Sequence, residues 1–179
     1  EQVLGEVHKA FQADAAASIT LALSGLGGVG KTQVALEYAY RHHKDYRYIL
    51  WVRCERKDLQ RDDFATIISQ LHLKDKQERI ADTIKNWLRT NMHWLLIADN
   101  IGDLDQLRTF VPSSARGHIL LTTRTQATGH IARGIDLQSM ERDEAVLFLL
   151  RRIKMVSQDA PLTNMVRADL ERLRPLVSA

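Results

Sequence analysis

Residues 25–32 read Gly-Leu-Gly-Gly-Val-Gly-Lys-Thr, and this octapeptide restricts what the chain can fold into more than any other feature. It meets the pattern G-x-x-x-x-G-K-[ST] at Gly25, Gly30, Lys31 and Thr32. Residues 19–23 ahead of it form a short apolar run, the look of a buried parallel strand. From Lys31 onward Val34, Ala35, Tyr38 and Ala39 recur at helical spacing as far as about His43. Strand, glycine-rich loop and helix in this order make a phosphate-binding loop, or P-loop. Glycines let the backbone take positive φ and curl around an anion with no Cβ in the way. The loop residues Gly25, Leu26, Gly27, Gly28, Val29, Gly30, Lys31, Thr32 and Gln33 are then expected to frame a concave anion site of inward N–H groups. The helix adds the positive end of its dipole to the same point. Lys31 is expected to reach the β- and γ-phosphates, and the Thr32 hydroxyl to ligate magnesium, which prefers hard oxygen donors. A nucleoside di- or triphosphate with Mg2+ is the ligand these groups predict.

The rest of the chain repeats the strand–helix alternation. Leu4, Val7, His8 and Phe11 predict a helix over residues 2–13. Aromatic and β-branched residues predict a strand over 46–52, and apolar runs predict others over 94–98 and 118–123. The third strand is expected to stop at Asp99-Asn100 and the fourth at Arg124, with a weaker fifth over 134–137. Helical spacing marks residues 59–71, 78–90 and 141–153, with a short helix over 103–110 capped by Asp103 and a helical tail from Thr163. Alternation of this kind predicts an α/β three-layer sandwich, a parallel five-stranded sheet covered by helices on both faces. The strand ending in Thr122-Thr123-Arg124 is placed between the P-loop strand and the strand ending in Asp99, giving the order 5-1-4-3-2.

Composition narrows the setting. No run of 18 apolar residues exists, so no membrane-spanning helix is expected. The net charge of +3 comes from dispersed Lys and Arg, and Arg151-Arg152 with Lys154 reads as a solvated helix end, so nucleic acid is not indicated. The single cysteine, Cys54, cannot form an internal disulfide, and with no secretory leader at the start a cytoplasmic location is expected. Cys54 itself reads as strand-end packing. With a start at Glu1 rather than methionine, the chain is expected to be a piece of a longer protein.

Two further strand ends carry chemistry. Trp94-Leu-Leu-Ile-Ala-Asp99 is a run of apolar residues closed by a carboxylate, the Walker B form, and Asp99 is expected to hold a magnesium-bound water opposite Thr32. Fast P-loop ATPases usually follow that acid with a second carboxylate that polarises the attacking water. Asn100 stands there instead, and an amide positions water but is a very poor proton acceptor. Slow turnover is the expectation. Ile119-Leu-Leu-Thr-Thr-Arg124 ends in a guanidinium suited to contacting a γ-phosphate and reporting its presence. The candidate catalytic set is therefore Lys31, Asp99, Asn100 and Arg124, and the candidate metal ligands are Thr32 and Asp99.

Together these segments, with Met140-Glu-Arg-Asp-Glu-Ala145 after them, resemble the STAND class of P-loop ATPases. Within it the chain is most similar to NB-ARC domains, especially bacterial ones that carry TPR repeats. The resemblance implies a P-loop NTPase fold over residues 1–155, with 156–179 the start of a helical lid or a C-terminal helix. It implies adenine as the base, so ATP or ADP with Mg2+, and a resting state with ADP. It also implies exchange to ATP on a signal, followed by self-association of the full-length protein. Family members carry an apolar-apolar-Gly-Arg-Glu motif before the first helix, of which Glu1 would be the last residue. Their Gly-Leu-Pro-Leu lid motif has only Leu173-Arg-Pro-Leu176 as counterpart. Three other readings stay open: a turnover ATPase, the ATPase module of a DNA-binding transcriptional activator, and a purely structural interaction domain.

Overall fold

Strands without polar alternation need cover on both sides, and the computed structural model provides it. It describes residues 2–13, 19–73, 79–113, 116–125 and 131–139. The elements are α1 (Gln2–Gln12), β1 (Ile19–Ser24), α2 (Lys31–Arg41), β2 (Tyr48–Arg53), α3 (Lys57–Gln70), α4 (Ile80–Thr90), β3 (Trp94–Ile101), α5 (Leu107–Phe110), β4 (His118–Thr123) and β5 (Arg133–Asp136). Every pairing is parallel and the order is β2-β3-β4-β1-β5. Read from its other edge, this is the order expected from the sequence.

Side-chain alternation along the strands sorts the core into two layers. Leu21, Leu23, Leu95, Ile97 and Leu120 pack with Val7, Phe11, Ala35 and Tyr38 of α1 and α2. Leu96, Ala98, Ile119 and Leu121 pack with Phe64, Ile67, Ile84, Trp87, Leu88 and Phe110 of α3, α4 and α5. Each layer removes several large apolar side chains from water at roughly 1.5–3 kcal/mol apiece. Residues 94–98 and 119–123 are buried throughout, as a central strand covered on both faces must be.

The short helix expected over 103–110 divides in two: a 3-10 turn at Leu104–Gln106, whose Asp103 carboxylate accepts from Asp105 N at 2.9 Å, followed by α5. β3 also departs from expectation, because it does not stop at Asp99 but runs on to Ile101. The chain divides into two compact units, 1–137 and 138–179. The helix expected over 141–153, the helical tail and the boundary at 155 lie outside the described residues.

Candidate functional site

β1 ends at Ser24, and the next residue turns sharply. Gly25 has φ 138°, and a Cβ there would lie 2.5 Å from the Leu137 carbonyl oxygen, so only glycine fits. Gly30 follows at φ 98° and caps α2, with Val34 N donating to Gly30 O at 2.9 Å. The loop therefore lies at the carboxyl edge of the sheet, against the N-terminus of an 11-residue helix. Lys31 Nζ donates to Gly25 O at 2.8 Å and Leu26 O at 2.7 Å, which folds the ammonium onto the loop. Its pKa is lowered, first by burial and then by the Arg124 charge, with the Asp99 charge opposing.

The end of β3 is a bulge. Ala98 faces Leu121 and Ile101 faces Thr123, so β3 carries one residue more than β4 across this interval. Asn100 takes the strain at φ 58°, a conformation that asparagine tolerates better than most residues. Thr122 fills the gap. Its hydroxyl donates to Asp99 Oδ1 at 2.6 Å and accepts from Asn100 N at 2.8 Å. In a regular strand, residues 99 and 100 would point to opposite faces; the bulge lets both side chains reach one cleft. There Thr32 Oγ1 donates to Asp99 Oδ1 at 2.8 Å, so a hydroxyl and a carboxylate stand together as hard oxygen donors that fit a small divalent cation.

That cleft encloses about 400 Å3 and is lined by Gly27, Gly28, Gly30, Lys31, Thr32, Gln33, Arg53, Glu55, Asp99, Asn100, Thr122 and Arg124. Of the residues singled out from sequence, Gly25, Leu26 and Val29 do not line it. Gly25 makes the turn, Leu26 is 80% exposed, and Val29 packs against the apolar layer beside α2. The Arg124 guanidinium carbon lies 3.9 Å from where a Cβ on Gly27 would sit, which puts the cation directly beside the loop.

Two residues of the cleft, Arg53 and Glu55, carry no motif signal, and Thr122, within the Thr-Thr-Arg strand end, has no role assigned from sequence. Arg53 and Glu55 arrive through strand register, because Arg53 pairs with Asp99 across β2 and β3. Arg53 is held by Asp63 through bonds of 3.0 and 2.7 Å. Glu55 Oε2 accepts from Asn100 Nδ2 at 3.1 Å. Cys54 beside them is buried, and burial pushes its thiol up to about 12, so it packs rather than reacts.

Other concave and titratable clusters lie elsewhere. A cavity of about 700 Å3 near the first residues of β1 and β4 mixes Asp82, Lys85, Arg89 and Arg108 with apolar walls, and has no anion-binding loop. His8, His42 and Asp45 hold potential ligand atoms within 4.8 Å of one another. The His8 and His42 rings stack at 4.1 Å and 18°, so their nitrogen lone pairs run side by side rather than converging on an ion.

The family model described as "NB-ARC domain" matches residues 1–159. A nucleotide-binding leucine-rich repeat (NLR)-like protein of Hyaloscypha variabilis is 31% identical over 68% of this chain, and the match spans 14% of that relative's length. Among solved structures, the ORC2 protein of Aeropyrum pernix in its ADPNP-ADP complexes aligns with a TM-score of 0.61 and 16% identity. That alignment covers 86% of this chain and 50% of the other. Cdc6p of Pyrobaculum aerophilum aligns with a TM-score of 0.64 and 13% identity over 86% of this chain and 49% of its own. These two likenesses concern the fold.

Proposed function

The chain belongs to the NB-ARC family, and from that premise we propose that it is the ATP/ADP-binding switch domain of a longer STAND signalling protein. The observation that carries this reading is the meeting of Lys31, Thr32, Asp99 and Arg124 around one cleft. In it the loop N–H groups and Lys31 bind the phosphates, and Arg124 beside Gly27 contacts the γ-phosphate that only ATP possesses. Thr32 and Asp99 hold Mg2+, which when bound offsets phosphate charge. Asn100 cannot itself accept a proton from water, so hydrolysis is slower than where a carboxylate holds that position, and the bound state persists long enough to signal. The ORC2 structure with ADPNP and ADP supports adenine nucleotides as the ligand class.

On this reading the protein rests with ADP, exchanges it for ATP when repeats elsewhere in the full-length protein sense a signal, and then self-associates in the cytoplasm. Denaturing the purified protein and identifying the released nucleotide tests it. ADP in near-stoichiometric amount is expected. Protein that releases no nucleotide and takes up neither ATP nor ADP overturns the reading.

A further inference from the structure

An amide at position 100 leaves the end of β3 with no second acid, yet the cleft contains one. Arg53 pairs with Asp99, and Cys54 N donates to Asp99 O at 2.7 Å, so the chain leaving β2 runs alongside the bulge. Glu55 thereby stands in the cleft with Thr32, Asp99 and Arg124, and its Oε2 accepts from Asn100 Nδ2 at 3.1 Å. Among the described residues its side chain makes no other hydrogen bond. Arg53, the last residue of β2, is committed to Asp63 through two side-chain bonds and makes no hydrogen bond with Glu55, although it feels the Glu55 charge. Asn100 is in turn fixed from behind by Thr122, which accepts from its backbone N–H at 2.8 Å. The amide is thus a rigid support that aims a carboxylate borrowed from the segment that follows β2.

We propose that Glu55 is the carboxylate that activates water for ATP hydrolysis in this cleft, with Asn100 as its positioning residue. The proposal rests on the nucleotide-binding reading above and adds a residue to it. The Glu55 carboxylate takes a proton from a water that attacks the γ-phosphorus. The new P–O bond forms as the bond from that phosphorus to the β–γ bridging oxygen breaks, and ADP leaves with the electron pair. Glu55 then returns the proton to solvent, giving ADP and phosphate. A carboxylate accepts that proton where an amide does not.

The test compares the wild-type protein with Glu55→Gln, an isosteric change at an exposed position. Three quantities are measured: affinity for ADP and ATP, single-turnover hydrolysis, and affinity for ADP with aluminium fluoride, which imitates the transferring phosphoryl group. Glu55→Gln should keep ADP and ATP affinity within about twofold and lose about a hundredfold in hydrolysis, the low end for a positioned base. Affinity for the aluminium fluoride complex should fall about tenfold, an effect on a transition-state mimic that a structural role would not produce. The double variant Glu55→Gln with Asn100→Asp should recover part of both losses by returning a carboxylate to the pair. An unchanged rate and unchanged analogue affinity in Glu55→Gln overturn the proposal. So does a wild-type protein that binds ATP and never hydrolyses it, an outcome that leaves the nucleotide-binding reading standing. Failure of the wild type to bind any nucleotide overturns both.

Discussion

The Thr32 hydroxyl donates to Asp99 Oδ1 at 2.8 Å, joining the first turn of α2 to the bulge of β3 across 67 residues of sequence. One carboxylate oxygen thus accepts from both Thr32 and Thr122. Asp99→Asn keeps an acceptor oxygen for both hydroxyls but removes the charge that attracts a divalent cation. Titration calorimetry should show about tenfold weaker ATP binding with Mg2+ and little change with EDTA present, a difference of about 1.4 kcal/mol. Affinity equal to wild type in Mg2+ would remove Asp99 from the metal site.

Arg124 stands beside the loop at Gly27 and lowers the pKa of Lys31 by its charge. Two cations so close are compatible with an anion between them. Arg124→Ala should therefore weaken ATP by about tenfold and ADP by much less, since a charge-assisted bond is lost only where a γ-phosphate exists. Competition binding of the two nucleotides reads the ratio, and equal losses would end the sensor role.

Thr122 is 1% exposed and satisfies two groups at once. Thr122→Val keeps the shape but leaves the Asn100 N–H and one Asp99 acceptor without this partner. A loss of about 1–3 kcal/mol in urea unfolding is expected, as for other buried polar groups left unmatched. Wild-type stability in the variant would mean that the bulge is held by something else.

His118 supplies a pH dependence. Its Nδ1 meets the Tyr46 hydroxyl at 2.7 Å, and its ring stacks on Phe11 at 4.4 Å. Burial first, and then the nearby His8, hold its pKa below the usual 6.5. The folded chain thus resists a proton that the unfolded chain accepts, so this contribution to stability is complete above about pH 6.5. It is lost as the pH falls from there through the lower folded value. Urea unfolding of His118→Gln should show a shallower loss of stability over that interval than wild type. An identical slope would assign the dependence to other groups.

The strand–loop–helix around Gly25–Thr32 and the sheet order were legible because each depends on local signals: glycine placement, apolar runs and the alternation of elements. Asp99 was legible for the same reason, as the acid that closes an apolar run. The continuation of β3 past it was not. Asp and Asn ordinarily end strands, and the bulge that carries β3 to Ile101 depends on a hydroxyl at Thr122, on another strand. Glu55 was missed on similar grounds. It belongs to no motif, and it meets Asn100 only through the register that sets Arg53 against Asp99. Local pattern finds the residues expected to bind phosphate, whereas register decides which side chains share their cleft.

The central claim is that the loop from Gly25 to Thr32 binds the phosphates of a nucleotide, and Lys31 is its main counter-charge. Calorimetric titration of ADP and ATP into wild type and Lys31→Ala tests this directly. Wild type should bind with a dissociation constant on the order of 1 μM or tighter, and Lys31→Ala about a hundredfold more weakly, as loss of a charge-assisted contact implies. Binding in Lys31→Ala as tight as in wild type would contradict the account.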